Sequence, residues 1–216
     1  MKKKVLSGSP LFENLSDFDL QRALKMLDFI ERDYRKNEII AQMGTSLTRF
    51  GIVLSGTVQV NFTDIDGNLV LMATVTEGDA FAESLCWLRV SEIPVTITAC
   101  TDARVLWLDP SVLSTNCEDA LVTDLRNRFV SILAAKTLLM NDRVQVLSKP
   151  SLRQKIITFL SQYSNKSLSK TFSVPFNRES LALYLGVNRS ALSRELAAMK
   201  SEGIIDFYKN TFKILK

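Results

Sequence analysis

The stretch from Asn177 to Glu202 reads NRESLALYLGVNRSALSRELAAMKSE, and its pattern predicts two short helices joined by a tight turn. Gly186 lies between them and tolerates the positive φ that a sharp helix-to-helix turn requires. Asn188 follows, and its short polar side chain is a typical cap for a new helix. The second helix has apolar residues spaced three to four positions apart, which predicts a single buried face: Leu192, Leu196 and Met199.

Polar side chains occupy the opposite face of this second helix, namely Arg189, Ser190, Ser193 and Arg194. A recognition helix is built in this way, because an apolar underside holds it while its first turns present hydrogen-bonding side chains to base edges. Most solvated helix pairs also have a polar outer face, so the alternative is a helix pair without a DNA-binding role. The pattern favours DNA binding.

Positive charge is concentrated in the same part of the chain. The segment from Lys149 to Lys216 contains twelve basic and four acidic residues, a net charge of +8. The whole chain has 27 basic and 23 acidic residues, so residues 1–148 carry a net charge of −4. A basic C-terminal third on an acidic body suits a polyanion such as double-stranded DNA, with an affinity that falls steeply with salt. The alternative is a solubilising surface, which the sharp asymmetry disfavours.

The composition is that of an ordinary globular protein, with 46% hydrophobic and 23% charged residues among 216. No apolar run approaches the roughly 20 residues that span a bilayer, and the N-terminal MKKKVLSGSP lacks the apolar segment of a secretory signal. We therefore expect a cytoplasmic protein with no membrane segment. Cys86, Cys100 and Cys117 are widely spaced, which predicts reduced thiols; a redox role for Cys86 or Cys100 is the alternative.

The chain contains no histidine. This excludes His-dependent catalytic triads, His-ligated haem and most zinc sites. The sequence also has no paired-carboxylate signature, no Gly-rich phosphate loop and no nucleophile elbow. We therefore predict that the protein is not an enzyme and that it has no metal site and no cofactor.

A predicted helix from Ser16 to Leu27 precedes a β-rich region from Asn37 to about Asp109. Asp66-Gly67 lies between two alternating runs and is a strong hairpin signal. Six runs are predicted as strands: Glu38–Ala41, Phe50–Leu54, Thr57–Thr63, Leu69–Val75, Val95–Ala99 and Arg104–Leu108. Strands at this spacing, without long helices between them, predict an antiparallel sandwich or barrel.

The segment from Glu118 to about Leu147 has no Gly or Pro and is predicted to form one long helix. Apolar residues recur along it at heptad spacing, and we predict that they line a homodimer interface: Leu125, Phe129, Ile132, Leu139 and Val146. A second stripe lies beside the first: Leu133, Met140 and Leu147. The two stripes together are wider than a strict coiled-coil seam, so such a helix can pack both on its own β-domain and on a partner helix. The alternative is a single long surface helix.

Two punctuating segments define the ends of the C-terminal region. Ser148-Lys149-Pro150 is predicted to be a hinge, because proline restricts its predecessor and tends to end helices. After the helix pair, Lys209-Asn210 divides residues 207–215 into two short strands. These strands are a predicted wing with Lys209 at its tip, where it would contact phosphate.

Together with SPLFENLSDFDL near the N-terminus, and with GIVLSGTVQV and EGDAFAES in the β-rich region, the helix pair resembles the Crp/Fnr family of bacterial transcription regulators. The resemblance covers nearly the whole chain. It implies an α+β fold with an N-terminal antiparallel, jelly-roll-like β-roll for effector sensing (residues 1–117), a long dimerisation helix (118–147) and a C-terminal winged helix-turn-helix (148–216). It also implies a homodimer that binds a palindromic promoter element, with RNA polymerase as a further partner.

The resemblance assigns base reading and phosphate contact to Arg189, Ser190 and Arg194, which the helix faces had also selected. Ser190 stands where the family commonly has a glutamate. A hydroxyl both donates and accepts, so it reads bases less decisively than a carboxylate, and we expect an altered half-site. Arg178 and Lys200 are, with Lys209, further candidates for contact with phosphate.

The effector site departs from the cyclic-nucleotide-binding members, which the resemblance describes as having a Gly-Glu pair before a short helix and an Arg-Ser pair at a strand start. Here Glu83 is retained, but Ala82, Ile93 and Pro94 stand at the other three positions. Without the arginine, a cyclic phosphate loses a charged bidentate partner worth on the order of a few kcal/mol. We therefore predict that the protein does not bind cyclic AMP with useful affinity.

An effector of another kind, if one exists, is expected as a small molecule in the roll near Phe81, Glu83, Leu85, Trp87 and Arg89. Arg89 is a candidate substitute for the missing arginine, or else an exposed loop residue. The iron–sulfur branch of the family is excluded because residues 1–50 contain no cysteine. The alternative overall function is a ligand-sensing or protein-interaction module that does not bind DNA, and the exposed arginines and the basic C-terminal third favour the regulator.

Overall fold

The computed structural model describes residues 2–63, 69–115 and 118–215, and its internal contacts divide the chain into two units, residues 1–135 and 136–216. The elements of the N-terminal unit are α1 (Lys2–Gly8), α2 (Asp17–Met26), β1 (Ile30–Tyr34), β2 (Ile39–Ala41), β3 (Phe50–Ser55), β4 (Val58–Thr63), β5 (Leu69–Val75), β6 (Ala80–Phe81), α3 (Glu83–Trp87), β7 (Thr96–Ala99), β8 (Ala103–Leu108) and a short 3₁₀ helix (Pro110–Ser114). Helix α4 (Ala120–Leu147) begins in the N-terminal unit and continues into the C-terminal unit. None of the helices in these described ranges is both long and apolar enough to span a membrane.

Two four-stranded antiparallel sheets form the body of the N-terminal unit, in the orders β1-β8-β3-β6 and β2-β7-β4-β5. The predicted antiparallel roll is therefore confirmed. Strands β4 and β5 pair from Val58↔Val75 to Thr63↔Leu69, as a hairpin requires. The predicted turn at Asp66-Gly67 lies outside the described residues.

Strand β3 is buried on both of its faces, because successive side chains of a strand point in opposite directions. Phe50, Ile52 and Leu54 join a core that includes α1, α2 and the first turns of α4. Val53 points the other way, into the core between the two sheets. The N-cap predicted for α2 is also present, since Ser16 Oγ accepts a hydrogen bond from the amide of Asp19 at 3.1 Å.

Most of the α4 stripe that was predicted to line a dimer interface packs within the chain. Leu125, Phe129 and Ile132 are buried in the core of the N-terminal unit, and Val146 is buried in the core of the C-terminal unit. Only Leu139 among the five is exposed. Heptad spacing identifies the apolar rows along a helix. It does not show which of these rows is buried by other segments of the same chain.

The C-terminal unit contains α5 (Leu152–Ser167), β9 (Thr171–Ser173), α6 (Arg178–Leu185), α7 (Arg189–Ser201), β10 (Ile205–Tyr208) and β11 (Thr211–Ile214). The strands form one antiparallel sheet in the order β10-β11-β9. The three helices and the sheet share one core, with members that include Phe159, Leu181, Leu192 and Phe212.

The last turns of α4 belong to this C-terminal unit. Lys166 Nζ forms an ion pair with Asp142 at 2.7 Å, and Gln162 donates a hydrogen bond to the carbonyl of Asp142 at 3.0 Å. The division between the units therefore falls inside α4, earlier than the segment from Ser148 to Pro150 that was predicted as the hinge. The domain boundaries drawn from the sequence stay predictions.

Candidate DNA interface and the interior of the roll

The turn between α6 and α7 fixes the first turn of α7. Gly186 ends α6 with a φ of 65°, a value that glycine adopts without a steric penalty. Asn188 then caps α7, because its Oδ1 accepts hydrogen bonds from the amide of Ala191 at 2.7 Å and from Ser190 Oγ at 2.9 Å. Both predicted features of the helix pair are confirmed.

Helix α7 presents the predicted polar face to solvent, since Arg189, Ser190, Ser193 and Arg194 are all exposed. Among the residues that the structure describes, neither Arg189 nor Arg194 has a hydrogen-bond or ion-pair partner. The opposite face is buried in the core of the unit through Leu192, Leu196 and Met199. Two guanidinium groups are thus accessible to a ligand, and the opposite face of their helix is packed in the core of the unit.

Two acidic residues of the same helix region pair with one arginine that the sequence interpretation missed. Arg153 Nε donates to Glu195 at 2.6 Å, and its two terminal nitrogens donate to the carboxylate of Glu202 at 2.7 and 2.8 Å. The hydrogen bonds with Glu202 and then Glu195 raise the pKa of Arg153. No local pattern identifies this contact, because Arg153 is 42 residues from Glu195.

The predicted wing is present as the β10–β11 hairpin, which pairs from Ile205↔Ile214 to Tyr208↔Thr211. Lys209 lies at its tip with a φ of 52°, and its ammonium is 5.6 Å from the ring centroid of Tyr208. Tyr208 is 75% exposed, so an aromatic ring and a cation project together from the wing.

Arg178 and Lys200 differ from Lys209, because both lie on the helices and contact the wing from outside it. The guanidinium carbon of Arg178 lies 4.7 Å from the ring centroid of Phe207 and 5.2 Å from that of Phe212. Lys200 Nζ forms an ion pair with Asp206 at 2.6 Å and lies 5.2 Å from the Phe207 centroid. The structure therefore separates the predicted phosphate contacts into one open cation and two that are engaged within the chain.

The five residues predicted to surround an effector do not converge on one cavity. Phe81 is buried between the sheets, where its ring is edge-on to Trp107 at 5.4 Å, and Leu85 packs against the same core. Trp87 packs instead on the other core, 5.2 Å from Phe129.

The remaining two members also diverge. Arg89 is exposed and has a φ of 51°, so it is a loop arginine, and the structure does not support its proposed substitution for the missing cation. Glu83 is buried at the start of α3. Alternate sides of this short segment enter different cores, and an effector site at these five positions stays a prediction.

The interior of the roll is apolar at position 93, where the cyclic-nucleotide-binding members of the family have an arginine. Ile93, in the place of the arginine, is 1% exposed and belongs to the core between the sheets. Trp107 lies in the same core and donates its indole N–H to Tyr34 Oη at 3.0 Å. Ala82 adopts a φ of 62°, which a non-glycine residue rarely does. Alternation along β8 was the available signal that Trp107 points inward.

Two of the three cysteines lie among the residues that the structure describes. Cys86 is buried and Cys100 is partly exposed, and both are free thiols. Burial, and then the negative charges of Glu83 and Asp109, raise the pKa of Cys86 to about 12. Cys117 lies outside the described residues. Within the described ranges, no group of three or more His, Cys, Asp or Glu side chains is placed to hold a metal ion.

Comparisons with known proteins agree with this geometry. The family profile described as Cyclic nucleotide-binding domain matches residues 31–119, and the profile described as Crp-like helix-turn-helix domain matches residues 154–216. The Cyclic AMP receptor protein of Thermus thermophilus is 24% identical over 214 residues, which cover 97% of this chain and 94% of that protein.

Solved structures with the same fold include two proteins of low sequence identity. FixK2 of Bradyrhizobium japonicum matches with a TM-score of 0.58 and 20% identity, covering 87% of this chain and 93% of that chain. The c-di-GMP-responsive global regulator CLP of Xanthomonas campestris matches with a TM-score of 0.63 and 15% identity, covering 93% and 100%.

A β-roll followed by a helix-turn-helix with open arginines on its second helix defines a DNA-binding transcription regulator. The two profile matches together cover well over half of the chain and specify the type. The chain belongs to the Crp/Fnr family, and its N-terminal unit carries the cyclic nucleotide-binding type of domain.

Proposed function

We propose that this chain is a homodimeric transcription regulator that binds a palindromic promoter site, with one α7 helix in the major groove of each half-site. The observation that carries the proposal is the pair of exposed guanidinium groups of Arg189 and Arg194, which have no partner among the described residues and lie on a helix with a buried underside. Arginine binds the N7 and O6 acceptors of guanine through two hydrogen bonds. RNA polymerase is the expected protein partner, and a cytoplasmic location follows from the role.

Ser190 supports a half-site that differs from the usual one of the family. Its hydroxyl donates to Asn188 Oδ1 at 2.9 Å, so its oxygen is left to accept a hydrogen bond from outside the chain. An acceptor at this position favours the amino group of cytosine or adenine. Because a hydroxyl carries no charge and is shorter than a glutamate, the discrimination at that base pair should be weaker than a carboxylate provides.

The DNA proposal is tested with Arg194→Ala on a duplex that the parent protein selects from a random library. We expect affinity to fall about tenfold or more, since a bidentate base contact contributes roughly 1–3 kcal/mol. Arg32→Ala is the matched control, because Arg32 is an exposed arginine on β1 and its removal changes the net charge equally. Equal affinity of the two variants would remove Arg194 from the interface, and a parent that binds no DNA at any salt concentration would end the proposal.

The dimer interface that we propose uses the second apolar stripe of α4 (Leu133, Met140 and Leu147) extended by Val130, Thr137 and Val144. Val130, Met140, Val144 and Leu147 are exposed on this helix, and Leu133 and Thr137 occupy the intervening positions of an a/d pattern. Burial of four of the five residues of the first stripe supports this choice, because it leaves a mostly exposed apolar row in which Leu133 is partly buried.

Substitution of Val144 by Asp tests this interface by sedimentation velocity. Val144 is 63% exposed, so the carboxylate has little effect within the subunit but would be buried between two helices in a dimer. Leu139→Asp is the control, since Leu139 is 59% exposed but lies about 140° around the helix. We expect Val144→Asp to sediment as a monomer and Leu139→Asp as a dimer; the reverse pattern would return the interface to the first stripe.

We also propose that the controlling signal is not cyclic AMP. Support comes from the fully buried Ile93 at the position of the missing arginine and from the aromatic pair Phe81 and Trp107, which occupy the space between the sheets. A cyclic nucleotide would lack the charged partner that the family arginine gives to its phosphate. Calorimetric titration of the full chain with cyclic AMP should give no binding heat, and binding in the micromolar range would overturn this part of the proposal.

A further inference from the structure

Cations from both helices of the helix-turn-helix contact the aromatic ring of Phe207 on β10. Arg178, the first residue of α6, places its guanidinium carbon 4.7 Å from the ring centroid. Lys200, in the last turn of α7, places its ammonium 5.2 Å from the same centroid. A cation within about 6 Å of a ring centroid is attracted by the negative face of the ring.

Each cation has a second contact that ties it to the wing. Arg178 also lies 5.2 Å from the ring centroid of Phe212 on β11, so it spans both strands of the hairpin. Lys200 pairs with Asp206 at 2.6 Å and donates to the carbonyl of Phe207 at 3.3 Å. The wing is therefore joined to the first residue of α6 and to the last turn of α7.

The state of Arg178 agrees with this role. Burial lowers its pKa, because the guanidinium has lost part of its hydration against the two rings. An arginine that serves phosphate from a solvated surface would show no such cost. Lys209, by contrast, is exposed at the tip, and its contact is with the outward-facing Tyr208.

We propose that Arg178 and Lys200 are positioning residues that hold the wing hairpin against the helix-turn-helix, and that Lys209 with Tyr208 makes the contact of the wing with DNA. The inference rests on the proposed DNA-binding function. It assigns to two sequence-predicted phosphate contacts a different task, which is to fix the distance between the tip of the wing and the recognition helix.

A short hairpin needs such support. Strands β10 and β11 have four residues each, and their third partner β9 has only three. Isolated two-stranded hairpins are marginally stable in water. Stacking of Phe207 under two cations gives the tip a defined place relative to α7, which reduces the ordering cost when both contact the same duplex.

The salt dependence of binding distinguishes positioning from direct contact. Loss of one phosphate contact lowers the slope of log affinity against log salt by about 0.9 for each subunit that binds. Loss of a positioning contact weakens binding at every salt concentration and leaves the slope unchanged. The duplex selected by the parent protein is the probe, and the variants are Arg178→Leu, Lys200→Leu, Phe207→Leu and, as the contact control, Lys209→Leu.

We expect Arg178→Leu, Lys200→Leu and Phe207→Leu each to weaken binding roughly threefold to tenfold, in line with the strength of cation–π pairs, with the slope of the parent. Combining Arg178→Leu with Phe207→Leu should cost little more than either change alone, since both remove the same contact. Lys209→Leu should lower the slope. Phe207→Tyr keeps the ring and should bind like the parent.

Two results would overturn the inference: a slope for Arg178→Leu that falls as far as that of Lys209→Leu, or parental affinity for Phe207→Leu. If circular dichroism shows that Arg178→Leu melts at a lower temperature than the parent, the DNA affinities of Phe207→Leu and Phe207→Tyr test the inference by themselves, because neither change alters charge. A parent that does not bind the duplex rejects the proposed function instead, so the two failures are distinguishable.

Discussion

The outer face of α7 and the interior of the roll differ in how they retain the chemistry of their family. On α7 the polar side chains are exposed, and the two arginines are open to a ligand. Between the sheets, Ile93, Phe81 and Trp107 are buried against one another and no cation is retained at the position of the family arginine. The outer face of α7 is accessible to a ligand, whereas the interior of the roll is a packed core.

The difference follows from how each surface is assembled. The polar face of α7 is formed by neighbouring turns of one helix. Helical spacing of the polar residues is therefore enough to place them on the same exposed face. The roll interior joins β1, β6, β8 and the segment around Ile93, which are far apart in the chain. A change at one of these places alters the space available to all the others, because protein interiors are close-packed.

The largest effect that tests this comparison is expected from Phe81→Ala. Truncating a buried phenylalanine removes its apolar burial and leaves a cavity, at a cost of about 3–5 kcal/mol in the free energy of unfolding. Urea denaturation followed by tryptophan fluorescence reports on this unit, since both tryptophans, Trp87 and Trp107, lie in it. Phe62→Ala is the control at an exposed phenylalanine of β4. Similar costs at Phe81 and Phe62 would show that the roll interior is not a packed core.

A smaller loss is expected from Gly51→Ala on β3. A Cβ at Gly51 would lie 2.2 Å from Cζ of Phe81, so the ring would have to move. Overpacking of this kind costs about 1–3 kcal/mol. In a Phe81→Leu background the same change should cost less, because the crowding atoms are gone. An unchanged cost in that background would mean that the strain has another source.

A smaller effect, on DNA binding, is expected from Arg153→Met. The change removes the guanidinium that pairs with Glu195 and Glu202, and Glu195 directly follows the open Arg194 in α7. We expect affinity for the selected duplex to fall roughly threefold to tenfold through the altered field. Lys170→Met removes the same charge from an exposed position in the same unit and should have a smaller effect. If the two variants bind equally, Arg153 contributes only to the general charge.

The last effect is on chemical reactivity and concerns the thiol of Cys86. Because its pKa is raised to about 12 from 9.0, its thiolate fraction near neutral pH is about a thousandfold below that of a free thiol. In a Cys117→Ser background, iodoacetamide at pH 8 should therefore modify Cys100 well before Cys86. Equal rates would revive a redox role for Cys86.

The same shift gives a pH dependence of stability with a definite sign. The folded state holds the proton of Cys86 more tightly than the unfolded chain, in which the thiol titrates near 9.0. The contribution to stability is therefore complete below about pH 9 and is lost as pH rises toward 12. Melting temperatures of the parent and of Cys86→Ser between pH 7 and 10 should converge as the pH increases.

Much of the C-terminal unit could be predicted because its signals are local. The glycine turn, the Asn188 cap, the two faces of α7 and the Lys209-Asn210 break each depend on residues within a few positions of one another. The alternating runs likewise predicted most of the strands. The pairing of Arg153 with Glu195 and the stacking of Arg178 on Phe207 could not be predicted, since each joins residues about 30 or more positions apart.

The sequence by itself determined that a basic helix pair with outward arginines follows a β-roll whose family arginine is replaced by Ile93. Only the tertiary structure decided which apolar stripe of α4 the chain covers, that Phe81 and Trp107 meet between the sheets, and that Arg178 faces the wing rather than solvent. The physical reason is that period and capping are properties of a segment, whereas burial is a property of the surface that another segment brings against it.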